Sequence, residues 1–101
     1  MEQKNEDLKK LFDEKKYSEV IDIIQNEFDE KDKNSGLLNL LGVCKLLNNS
    51  NEQSIKSSIE DFRKSYLKEK DTINAQHALK NFINTSVDLL DIEFRLNGKV
   101  L

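Results

Sequence analysis

The sequence predicts an all-α fold, and three observations carry the prediction. Its apolar residues recur three and four positions apart, as on one face of a helix, and do not alternate as in a strand. Proline is absent and only three glycines, Gly36, Gly42 and Gly98, occur in 101 residues, too few turn formers for a chain of many short strands. The breaks between apolar runs are short and polar, as connections between packed helices are.

The first helix spans about Asn5 to Glu14, with Leu8, Leu11 and Phe12 on one face. After the brief polar break Lys15-Lys16-Tyr17 comes a second, in which Val20, Ile21, Ile23, Ile24 and Phe28 form a wide apolar stripe. So short a connection makes the two helices antiparallel. Asp29 to Asn34 holds no apolar residue and reads as a solvated loop. Asn34 or Ser35 then caps a third helix running to about Leu47. Leu37, Leu38, Leu40, Leu41, Val43, Cys44, Leu46 and Leu47 make it apolar on nearly all sides, so it belongs in the middle of the structure. Ser50 followed by Gln53 has the pattern of a capping box. The fourth helix carries Ile55, Ile59, Phe62 and Tyr66 and ends at Lys68-Glu69-Lys70. Asp71 or Thr72 caps a fifth element with Ile73, Ala75, Ala78, Leu79, Phe82, Ile83, Val87, Leu89 and Leu90. Asn84-Thr85-Ser86 weakens its middle, and the pattern is compatible with one helix or two before the stop at Asn97-Gly98.

At 37% apolar and 35% charged, the composition would suit disorder if the apolar residues were scattered; their periodic placement argues instead for thin, elongated helical packing. One domain is the most that the length allows. The net charge is −3 and the lysines are interspersed with acids, with no basic stripe carrying aromatics, which disfavours a nucleic-acid partner. The N-terminus has no apolar signal region and no apolar run approaches membrane-spanning length, so no membrane association is expected. A single cysteine, Cys44, precludes an intrachain disulfide and fits a reducing compartment, and the expected location is cytoplasmic.

The chain also resembles itself. Shifted by 38 residues, Val20 falls on Ser58, Ile21 on Ile59, Ile24 on Phe62, Glu27 on Ser65 and Phe28 on Tyr66. Leu41-Gly42 on the third helix, Tyr17 at the first turn, and the small–large–small series Ser58, Phe62, Ser65 on the fourth resemble the tetratricopeptide repeat (TPR). Residues 73–83, INAQHALKNFI, resemble the first helix of a third repeat. The pattern departs at Val20 and Glu27, where small residues are usual, at Lys45 and Lys80, and in lacking the terminal proline. The resemblance implies antiparallel helix pairs stacked as a short right-handed solenoid of about two and a half repeats. Repeat one covers about 4–34, repeat two about 35–71, and a partial third repeat or capping helix about 72–97.

No constellation for catalysis, metal or cofactor binding is present, and a non-enzyme without cofactor is expected. Cys44 and His77 fall on neighbouring helices of such a stack, but nothing would orient the pair or stabilise an oxyanion; Cys44 reads as a core residue and His77 as surface. Glu27, Asp29, Glu30 and Asp32 lack the alternating spacing and glycine of a calcium loop. The resemblance implies a concave groove lined by the first helix of each pair. That would bring together Asn5 and Lys9, Asn39 and Val43, and a polar series at His77, Asn81 and Asn84. Asparagines both donate and accept, so a row of them can pair with an extended peptide, although polar residues are also what any helix shows to water. The expected function is therefore a scaffold module binding a protein or peptide. Two alternatives stand beside it. The chain could be the N-terminal repeat region of a larger protein or enzyme, suggested by the apolar ending EFRLNGKVL. It could instead be a structural protein that self-associates through its last helix, burying Phe82, Leu89, Leu90, Phe94 and Leu96 in a homodimer. Ser58 and Ser65, flanking Phe62, are expected to let a neighbouring helix approach closely.

Overall fold

The computed structural model describes the backbone of residues 2–97 and the side chains of residues 7–93. Five α-helices follow one another: α1 (Glu2–Asp13), α2 (Tyr17–Glu27), α3 (Ser35–Asn48), α4 (Glu52–Lys68) and α5 (Ile73–Asn97). A 3-10 turn at Glu30–Asp32 is the other regular element, and no strand occurs among the described residues. The last element is one unbroken helix. Thr85, in its weak middle, is only 5% exposed, and burial outweighs the few tenths of a kcal/mol that β-branched and Asn residues cost a helix.

The turn between α1 and α2 closes by two hydrogen bonds. Lys16 N–H donates to the Leu11 carbonyl and Lys15 N–H to the Phe12 carbonyl, both at 2.9 Å, with Lys15 in the left-handed region at φ 62°. This is a Schellman closure with lysine where glycine is usual. It brings the rings of Phe12 and Tyr17 edge to face, 5.6 Å apart.

α3 touches α2, α4 and α5, as its all-round apolar surface requires. It runs antiparallel to α4: Ser35 at its start meets Ser65 near the end of α4, and Lys45 near its end meets Ser57 and Asp61 near the start. The Ser35 and Ser65 hydroxyls each donate to the other's backbone carbonyl, at 2.7 and 2.6 Å. Ser58, Phe62 and Ser65 have no exposed surface, and a Cβ on Gly42 would lie 2.5 Å from the Phe62 ring. The close approach expected is present at Ser65, where α3 meets α4, and at Gly42, which admits the Phe62 ring; Ser58 is buried. Val20 and Ile24 on α2 are as fully buried as Ser58 and Phe62, their counterparts 38 residues on, whereas Glu27 is exposed and Ser65 is not.

Two local expectations are corrected. Asp29 to Asn34 is not a wholly solvated loop. It contains the 3-10 turn, and Lys33 is buried, its aliphatic stem covered and its ammonium 2.8 Å from Glu30 Oε1. The α4 cap is Asn51, whose Oδ1 accepts from Ser54 N–H at 2.8 Å, and not the Ser50/Gln53 box. Ser50 Oγ instead donates back to the Leu46 carbonyl. Asparagine at the cap position supplies the acceptor, so Ser50 is not needed there. Asn34 caps α3 by accepting from Leu37 N–H, which leaves Ser35 free for its bonds with Ser65. At α5 the Thr72 hydroxyl accepts from Ala75 N–H.

Candidate binding groove

α5 lies beside α3 and runs in the same direction. Gly36 faces Asn74, where an added Cβ would stand 3.1 Å from Asn74 Nδ2, and further along Asn81 Nδ2 donates to Asn39 Oδ1 at 2.9 Å. α1 flanks the same end of α3, and between the three helices lies an open depression of about 410 Å³. Leu8 and Phe12 of α1 and Leu37 and Leu40 of α3 supply its apolar surface. Asn34, the α3 cap, and Asn74 supply amides, whose side chains both lie close to Gly36, and Lys9 supplies the one charge among the described lining residues. A second open depression, of about 460 Å³, lies at the other end of α3, where Leu46, Leu47 and Ile55 face Thr85, Asp88 and Ile92.

The six residues expected in the groove whose side chains are described divide into three groups. Lys9 lines the first depression. Asn39 and Asn81 come together, half-buried, but with one another: each spends part of its hydrogen-bonding capacity holding α3 to α5, and Val43 is half-buried on the same helix as Asn39. His77 and Asn84 are exposed on α5 and lie outside both depressions. The side chain of Asn5 lies outside the described residues. Asn74, Leu40, Gly36 and Asn34 were not among the expected groove residues. Asn74 continues the polar series, three positions before His77 and seven before Asn81, so the spacing that singled out the others also reached it.

Besides Lys33, the buried charges form a helix contact. Lys45 Nζ lies 2.7 Å from Asp61 Oδ2 and donates to Ser57 Oγ at 2.8 Å, with the Lys45 and Asp61 side chains 15% and 9% exposed. Among the described residues Oδ2 has no other hydrogen-bond partner. Burial pushes the Asp61 carboxyl above the ordinary aspartate range, against the pull of the Lys45 ammonium. Cys44 has no exposed surface and burial raises its thiol to about 11, far from the thiolate that a nucleophile needs. Among the described residues no group of three His, Cys, Asp or Glu side chains is placed to hold a metal, and no helix is long and apolar enough to cross a membrane. Comparison of the sequence with protein-family models, with curated proteins and with solved structures finds no match.

Proposed function

We propose that the chain is a TPR-like binding module that holds an extended peptide segment of another protein in the depression between α1, α3 and α5. The observation that carries this reading is the composition of that depression. The half-buried Phe12 and Leu40, over the buried Leu8 and Leu37, stand beside two amides, Asn34 and Asn74, that meet at Gly36. One large apolar side chain of a peptide would cover the leucines and Phe12. The amides, which donate and accept, would pair with the peptide backbone on either side of it. The matched burial of Val20 with Ser58 and of Ile24 with Phe62, and the parallel course of α3 and α5, support the stacked-pair architecture that the reading assumes.

Selection of peptides from a random library on the intact chain tests the proposal. Peptides that bind should lose about tenfold or more in affinity for Leu40→Asp, which sets a charge on the apolar surface; because Leu40 also packs against the core, the variant's helical circular dichroism and melting temperature are measured alongside. They should lose a few-fold for Asn74→Ala. Peptides that bind Leu40→Asp as tightly as the parent chain would show that the depression is not the site.

A further inference from the structure

Four of the large apolar side chains that face solvent lie on α5: Ile73, 72% exposed, Ile83, 53%, Val87, 59%, and Leu90, 54%. With Gln76 and Lys80 they occupy positions 73, 76, 80, 83, 87 and 90, a spacing of three and four that repeats every seven residues. The buried Ala75, Ala78 and Thr85 and the half-buried Phe82, Leu89 and Ile92 lie on the opposite side of the helix, towards α3 and α4. The outward stripe is thus as narrow as a coiled-coil seam and has its 3.5-residue period, which only another helix matches along its length.

The corresponding face of α3 shows what such a stripe does in this protein. Ser35, Leu38, Gly42 and Lys45 stand 38 residues before Ile73, Gln76, Lys80 and Ile83. That face receives α4, through the Ser35–Ser65 bonds, the Gly42–Phe62 contact and the Lys45–Asp61 pair. On α5 no described residue covers the same face.

We propose that this face of α5 binds the α5 of a second copy of the chain, antiparallel, in a two-fold homodimer. Charge selects both the occupant and its direction. Lys80 sits in the first half of the stripe, while the second half of the helix, with Asp88, Asp91 and Glu93 against Arg95, is acidic on balance. Antiparallel pairing sets each Lys80 towards the acidic end of the other helix, whereas a parallel pair would set Lys80 against Lys80. Placing Ile83 across from the partner's Val87 forms two symmetric apolar layers, and the Lys80 stem then runs along the partner's Leu90 with its ammonium in water. The residues expected from sequence to form such an interface differ. Phe82 and Leu89 are half-buried against the protein's own helices, Leu90 alone faces outward, and the side chains of Phe94 and Leu96 lie outside the described residues. Four half-open side chains fall short of the roughly 800 Å² per partner of a stable interface, so the dimer is weak, half-formed at protein concentrations on the order of tens of micromolar. None of the stripe residues lines the depression at α1, so the two proposals stand independently.

Sedimentation equilibrium over a concentration series tests the dimer. The intact chain should pass from one to two copies in mass. Ile83→Glu/Leu90→Glu should remain monomeric at every concentration with unchanged helical circular dichroism, since both side chains already face water. Lys80→Leu should dimerise about tenfold more tightly, because it makes a polar seam position apolar. Leu47→Glu, exposed on α3 and off the stripe, should dimerise as the parent does. A parent chain that is monomeric throughout overturns the proposal, as does a dimer that survives Ile83→Glu/Leu90→Glu. Were that double variant to unfold, a Lys80→Leu chain no tighter than the parent would overturn it equally.

Discussion

At Gly42 the α3 backbone approaches the Phe62 ring so closely that a methyl group has no room, and the ring, with no exposed surface, has nowhere to retreat. Gly42→Ala is therefore expected to destabilise the protein by about 1–3 kcal/mol, although alanine is the better helix former by roughly 1 kcal/mol. Ser58→Leu, which puts a large side chain where the serine has no exposed surface, should cost at least as much. Urea unfolding of each variant measures the loss, and unchanged midpoints would show that α3 and α4 are not packed this tightly. Lys15 presents the reverse case. Its positive φ strains any residue with a Cβ, and its N–H and that of Lys16 already make the closing bonds of α1. Lys15→Gly should raise stability by about 0.5–1 kcal/mol, the relief of strain exceeding the entropy that glycine adds to the unfolded chain. A lower melting temperature for this variant would contradict the geometry of the turn.

Between elements, the Lys45–Asp61 pair ties α3 to α4 across their contact. Two charges so nearly buried give back little net stability, but removing one leaves the other uncompensated. Lys45→Met should cost about 3 kcal/mol at neutral pH, while Lys45→Met/Asp61→Leu should be close to the parent or above it. The pair also sets a pH dependence. The folded Asp61 carboxyl titrates above its unfolded value, because burial outweighs the attraction of Lys45. Between the two values the folded protein holds a proton that the unfolded chain has lost, so this contribution falls as pH rises through that window. Above it the cost of burying the charge is complete. Acidification should therefore restore part of the stability that Lys45→Met loses, and Asp61→Asn should abolish that recovery. Chemical denaturation at neutral and mildly acid pH measures both. Glu30 and Glu60 run the other way, held below the ordinary range by hydrogen bonds from Lys33 and Arg63. Both are well exposed, and their contributions, lost on acidification, are small and screened by salt.

Across the whole molecule, helices stacked mainly on their chain neighbours give an elongated body of 50 × 29 × 21 Å. Such a body has a thin core and a large surface, which explains how a chain with 37% apolar residues folds at all. Among the described residues it also leaves one face of α5 uncovered. A peptide-binding depression at the α1 end and a self-association seam on α5 make separable predictions at this scale. Leu40→Asp should abolish peptide binding and leave the dimer intact, and Ile83→Glu/Leu90→Glu should do the opposite. Fluorescence anisotropy of a selected peptide, read alongside sedimentation of the same samples, would detect any cross-effect.

Periodicity in the sequence alone determined the helices, their antiparallel order at the shortest turn, the central place of α3 and the small–large–small packing around Phe62. Each depends on spacing within a single helix or on the length of a connection, and both are written in the chain. Tertiary structure decided which way the faces of α5 turn. Its apolar residues run nearly all round the helix, so spacing fixes the angles between Phe82, Ile83, Leu89 and Leu90 but not which of them meet α3 and α4. The same rotation carries Asn81 inward to Asn39 and leaves His77 and Asn84 in solvent, and it exposes Ile83 and Val87 in place of Phe82 and Leu89. A helix's own sequence specifies its faces; only the packing of Ala75 and Ala78 against their neighbours, which admits a single rotation, specifies where those faces point.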